Sequence, residues 1–109
     1  MLERDFQRDL IKELKNRYPG CFVLKNDPKY KRAIPDLTIL YLDKWATLEV
    51  KASAKSTHQT NQDLTVERMN SMSFSAFIFP ENKEEILHEL DGFFARAIQP
   101  KSTGVAKVL

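Results

Sequence analysis

Two apolar runs meet at a pair of polar residues: Ile34-Pro35-Asp36-Leu37-Thr38-Ile39-Leu40-Tyr41-Leu42 passes through Asp43-Lys44 into Trp45-Ala46-Thr47-Leu48-Glu49-Val50-Lys51. Both runs suit a pleated, half-buried surface and predict two antiparallel strands, closed by a two-residue turn at Asp43-Lys44. With that turn Leu42 faces Trp45, Thr38 faces Glu49 and Asp36 faces Lys51. Side chains two apart on a strand share a face, so Glu49 and Lys51 point the same way. Asp36 joins them, diagonal to Glu49 at a Cα separation of ~7–8 Å, within reach of a shared metal ion. A four-residue loop from Leu42 to Trp45 keeps the same parity, whereas a three-residue loop without a compensating bulge sends Asp36 and Glu49 to opposite faces.

The rest of the chain narrows the setting. Its 109 residues make one small domain with little apolar surface to spare, so dimerisation would help it. No apolar run approaches the ~20 residues of a membrane helix, and Met-Leu-Glu-Arg-Asp does not begin a secretory signal. The expected compartment is the cytoplasm, or a host's cytoplasm for a phage-encoded chain, with no membrane partner. The single cysteine, Cys21, has no partner for a disulfide or a zinc site and reads as a buried core thiol. His58 and His88 are too isolated in sequence to suggest a metal cluster.

Residues 2–18 carry Phe6, Leu10, Ile11, Leu14 and Tyr18 at helical spacing until Pro19-Gly20 stops the pattern. On a wheel of about 100° per residue, Glu3 falls within the apolar stripe while Asp5 and Asp9 fall outside it. Gln7 also lies toward the stripe. An inward acid needs a compensating partner such as a metal ion; alternatively Glu3 stays wet and favours the helix dipole.

Cys21 to Leu24 reads as a strand, and Lys25-Asn26-Asp27-Pro28-Lys29-Tyr30-Lys31-Arg32 as a polar loop leading to Ile34-Pro35-Asp36. Four bases with an aromatic among them suit a phosphate backbone, so Lys25, Lys29, Tyr30, Lys31 and Arg32 are candidate nucleic-acid contacts; the alternative is a solvated loop. Residues 52–58 read as a mobile loop whose Lys55 joins that set. A second helix then spans 59–72, with Val66, Met69, Met72 and Gln62 on its inner side and Leu64 outside. Gln62 either meets the hairpin's carboxylates or a substrate phosphate, or caps its own helix. Ser73 to Phe79 is a fourth strand, and Asn82 with Glu85 makes a capping-box-like start for a third helix reaching Ala97. One domain over residues 1–97 and a loose tail at 98–109 complete the reading.

An α/β fold with an αβββαβ(α) order, Pro35-Asp36, twelve intervening residues and Glu49-Val50-Lys51 resembles the PD-(D/E)XK, or restriction-endonuclease-like, nucleases. The resemblance covers about residues 3–80 and is closest to VRR-NUC proteins and archaeal-type Holliday junction resolvases. VRR-NUC proteins often have Gly where this chain has Ala33 or Ile34. The resemblance implies a metal-dependent endonuclease: Glu3, Asp36 and Glu49 as metal ligands with the Val50 carbonyl, Lys51 acting on the attacking water, and Gln62 as an auxiliary. Mg²⁺ is the implied cofactor, with Mn²⁺ able to substitute, because hard oxygen donors suit these ions. Branched DNA is the expected substrate, addressed by a homodimer. Two other classes fit the same residues, a non-catalytic nucleic-acid-binding domain whose charges form an ion-pair ladder, and an interaction module using the acidic third helix.

Overall fold

The computed structural model describes residues 1–98. It is an α/β fold of three helices around a four-stranded mixed sheet: α1 (Glu3–Arg17), β1 (Phe22–Lys25), β2 (Leu37–Tyr41), β3 (Lys44–Val50), α2 (Thr60–Met72), β4 (Phe74–Ile78) and α3 (Lys83–Phe94). The sheet order is β1-β2-β3-β4, antiparallel except for the parallel β3–β4 pair. The tail expected from Gln99 onward lies outside the described residues. Among the described residues no helix is long and apolar enough to cross a membrane.

Alternation along the strands divides the sheet into two unlike faces. Leu37, Ile39, Ala46, Leu48, Val50 and Ile78 form one, buried in a single cluster with Phe6, Leu10 and Leu14 of α1 and Leu87, Leu90 and Phe94 of α3. Acids in the first turn of α1 and bases in its last complement the helix dipole, and Gly20, at φ 90°, turns the chain toward β1. A bidentate pair from Arg17 to Asp91, at 2.7 and 2.6 Å, and a 2.6 Å bond from Tyr18 Oη tie α1 to α3. The other face is only partly covered. α2 packs on its β3–β4 half, where Thr47 Oγ1 lies 3.5 Å from Met69 Sδ and 2.7 Å from Ser75 Oγ. Phe22, Leu24 and Leu40 on the β1–β2 half stay exposed.

The central hairpin departs from its expected register. Tyr41 pairs with Lys44, Leu40 with Trp45 and Thr38 with Thr47, so the two-residue loop is Leu42-Asp43 and not Asp43-Lys44. Thr38 therefore does not face Glu49. Lys44 stays in the strand, its Nζ bonded to Asp43 Oδ1 at 2.7 Å and to the Arg96 carbonyl at 3.0 Å. Leu42 takes the left-handed turn position, at φ 57°. The offset is two residues, which moves no side chain across the sheet, so the apolar pattern could not distinguish the two pairings.

Smaller corrections concern the helices and loops. Asn82 does not cap α3 through its side chain; its Oδ1 accepts from Phe79 N–H and its Nδ2 donates to the Phe77 carbonyl, closing the end of β4. Met72 points outward and is exposed, because α2 ends as the chain turns into β4. Cys21 is half-buried, its thiol pushed up by partial burial, and it precedes β1. The loop after β3 is held by bonds from Ser53 N to Ser56 Oγ (3.1 Å) and from Ala54 N to Glu81 Oε2 (3.1 Å).

Candidate active site

The chemistry gathers where β2 enters the sheet and β3 leaves it. Ala33, at φ 62°, turns the basic loop into the Ile34-Pro35-Asp36 entry. Asn26 holds that entry from the side: its backbone N–H donates to the Asp36 carbonyl at 2.8 Å, and its Nδ2 to the Pro35 carbonyl at 2.9 Å and Thr38 Oγ1 at 2.8 Å. One step beyond the Leu37–Leu48 pair, Asp36 comes beside Glu49, on the face away from the main core. Its Oδ2 accepts the Val50 N–H at 2.8 Å, which fixes the carboxylate against the end of β3. The expected convergence of Asp36 with Glu49 thus forms, directly across the strands instead of diagonally.

Glu49 is only 3% exposed. Burial pushes its carboxyl up to about 9, and a hydrogen bond to Asp36 and that residue's charge add to the effect. The charge of Glu3 raises it further, while Lys51 opposes the shift. So placed, Glu49 is held toward its protonated form, hydrogen-bonded to Asp36. Lys51 is buried as well. Its backbone N–H donates to the Ile78 carbonyl at 2.9 Å, and its Nζ donates to Gln62 Oε1 at 2.8 Å and to the Thr57 carbonyl at 3.1 Å. An ammonium has three donors, so these two oxygens leave a third proton for a water or a substrate oxygen.

Gln62 caps its own helix and meets the hairpin's lysine, not its carboxylates. Its Oε1 takes the Lys51 ammonium and also the Gln59 N–H, at 3.2 Å, so helix start and lysine share one acceptor. Glu3 is exposed on the first turn of α1, yet its charge is felt at Glu49. Asp5 and Asp9 are occupied with Arg8 at 3.3 and 3.2 Å, so Glu3 is the helix acid that senses the site. Val50 contributes its N–H to Asp36. Among the described residues no three His, Cys, Asp or Glu side chains are grouped to hold a metal ion.

The basic loop is exposed at Lys29, Lys31 and Arg32, and Tyr30 is 95% exposed. Asp27 shapes it, accepting from Lys29 N at 2.9 Å through its side chain and from Tyr30 N at 3.0 Å through its carbonyl. A cleft of about 250 Å³ lined by Pro28, Arg32, Ala33, Gln59 and Asn61 separates the loop from the start of α2. Lys25 pairs with Leu37, so strand alternation turns it to the face opposite Glu49, apart from the other bases. Lys55 is exposed on the loop after β3. A larger open recess of about 890 Å³ lies at the far end of β3, near Asp43 and Phe93, away from the paired acids.

Three contributors had little sequence signal. Asn26 looked like one more polar loop residue, Thr57 acts through its backbone, and His58 with Asp63 forms a 2.8 Å contact that no motif announces. No protein-family model, curated protein or solved structure matches the chain.

Proposed function

We propose that this chain is a metal-dependent endonuclease of the PD-(D/E)XK type, hydrolysing phosphodiester bonds in DNA. The observation that carries the reading is the side-by-side placement of Asp36 and the buried Glu49 on the same sheet face as a buried lysine. A structural ion-pair ladder would leave Glu49 charged and neutralised by Lys51. Here the carboxyl is instead pushed toward its neutral form, and the lysine is bonded to two uncharged oxygens. Clusters of this kind, with a buried carboxyl displaced by its surroundings, are characteristic of catalytic sites. The order of elements and the mixed β1-β2-β3-β4 sheet support the same assignment.

The donor set fits a hard divalent cation. Asp36 and Glu49 offer carboxylate oxygens, Val50 offers a carbonyl, and a cation would take the place of the proton that burial favours on Glu49. Mg²⁺, with Mn²⁺ as a substitute, would supply charge stabilisation at phosphorus and lower the pKa of a bound water. Lys51, with the donor that Gln62 and Thr57 leave over, would orient the attacking water. Asp36 and Glu49 would hold such a cation, and Glu3, at the edge, adds negative potential at Glu49. The exposed loop with Lys29, Tyr30, Lys31 and Arg32 borders the entry to Asp36 and is suited to the flanking backbone. Branched DNA, addressed by two copies of the chain, is the substrate this reading favours.

The deciding assay incubates the protein with labelled branched, flapped, single-stranded and linear DNAs in Mg²⁺, Mn²⁺ or EDTA. Cleavage with either metal, lost in EDTA and in Asp36→Asn and Glu49→Gln, is expected. Full activity in either variant refutes the site, and DNA binding that ignores metal and never leads to cleavage favours a non-catalytic binding domain.

A further inference from the structure

The imidazole of His58 has no part in the proposed hydrolysis, yet it is fixed on two sides. Its Nδ1 lies 2.8 Å from Asp63 Oδ1, in the first turn of α2; a carboxylate only accepts, so Nδ1 carries the proton of this bond. The ring also stacks on Phe77, with centroids 4.1 Å apart and planes inclined by 13°. Phe77 is the β4 partner of Glu49, so the stack rests on the strand beside the paired acids. The residue before His58 is Thr57, whose carbonyl accepts the Lys51 ammonium at 3.1 Å. A carbonyl on an exposed loop makes a poor fixed ligand unless something fixes the loop.

We propose that His58 is a positioning residue for Lys51: clasped between Asp63 and Phe77, it holds the Thr57 carbonyl where that carbonyl and Gln62 Oε1 together aim the ammonium. The geometry is economical. Gln62 and Asp63 are adjacent on α2, so the helix that supplies one acceptor also anchors the other through the ring. Releasing the ring frees Thr57 and leaves Lys51 with one fixed acceptor out of two. Metal ligation, at Asp36 and Glu49, is untouched.

The functional meaning rests on the nuclease reading, but the clasp itself is testable without it. In metal-free protein, the Lys51 ammonium signal in a ¹⁵N-edited spectrum of the full chain reports whether the group is held. A sharp signal is expected in the native protein, lost in His58→Ala and in Asp63→Ala. His58→Phe keeps the stack without the hydrogen bond, and His58→Asn keeps a donor near the Nδ1 position without the stack. Each should retain part of the signal. On cleavage, misplacing a catalytic group by about 1 Å can cost on the order of a hundredfold, so His58→Ala should lower kcat roughly ten- to a hundredfold with KM and metal affinity little changed. A Lys51 signal unchanged in His58→Ala refutes the clasp, whether or not the protein cuts DNA. A native protein that cuts nothing while His58→Ala still loses the signal refutes the nuclease reading and leaves the clasp standing.

Discussion

Replacing Glu49 with Gln should stabilise the metal-free protein above neutral pH, though it removes a proposed catalytic group. The amide mimics the protonated acid in shape and can donate to Asp36 as that acid does. In the folded chain the Glu49 carboxyl titrates at about 9, against an ordinary value of 4.5. Between those limits the folded state holds a proton that the unfolded state has released. Stability therefore falls as pH rises through this window, by about 1.4 kcal/mol per pH unit at most. From pH 5 to pH 8 the loss approaches roughly 4 kcal/mol, a large share of the ~5–15 kcal/mol that holds a domain folded. Glu49→Gln abolishes this slope. Urea unfolding of both proteins in EDTA, at half-unit steps from pH 5 to 8.5, should show the variant gaining on the native chain throughout. Adding Mg²⁺ at pH 8 should recover stability in the native chain alone, by about 2.7 kcal/mol at a hundredfold excess over Kd. Parallel pH profiles in EDTA would show that Glu49 is not the displaced group, and the central inference about the site would fall with them.

Neutralising Lys29, Lys31 and Arg32 together should flatten the salt dependence of DNA binding by about 0.9 log–log units for each phosphate that is no longer neutralised; Lys25→Ala, on the other face, should leave the slope unchanged in a filter-binding titration. Asp91→Ala removes the acceptor of Arg17 and Tyr18 and, because the pair is partly exposed, should cost about 1 kcal/mol by denaturant unfolding. The Arg17 bonds hold the Asp91 carboxyl below its usual range, so this contribution is present above the ordinary carboxylate pKa and is lost as pH falls through the lowered one. Leu42→Asn should raise Tm slightly, because a left-handed leucine costs ~1–2 kcal/mol of backbone strain that asparagine largely avoids.

The elements were legible because their periodicities are clean. Leu10 and Leu14 at helical spacing, and Leu37, Ile39, Ala46 and Leu48 in alternation, admit few other arrangements, and all six are buried. Parity also carried Asp36 and Glu49 to one face despite the wrong turn. The register itself was hidden, since choosing Leu42 over Lys44 for the loop runs against turn preference, and the Arg96 carbonyl that Lys44 reaches from the strand lies half the chain away. The displaced Met72 and the side chain of Asn82 were hidden for the same reason: each answers to β4, whose place depends on a crossover that local pattern does not describe. Glu3 was singled out by the helical wheel, and its charge does reach Glu49, but its position in the first turn leaves the side chain wet.

The parallel pairing of β3 with β4 has a consequence for when the site exists. β2 and β3 join through a two-residue turn, so the two carboxylates come together through a pairing close in sequence. The acceptors of Lys51, Thr57 and Gln62, belong to the long crossover through α2 that a parallel pair requires. Closing that crossover carries the greater entropy cost and the slower step. α2 buries only Val66 fully, so few apolar contacts hold it to the sheet. A transient opening of α2 would thus release the lysine while the acids stay paired on an intact meander, giving the molecule a silent state reached without unfolding.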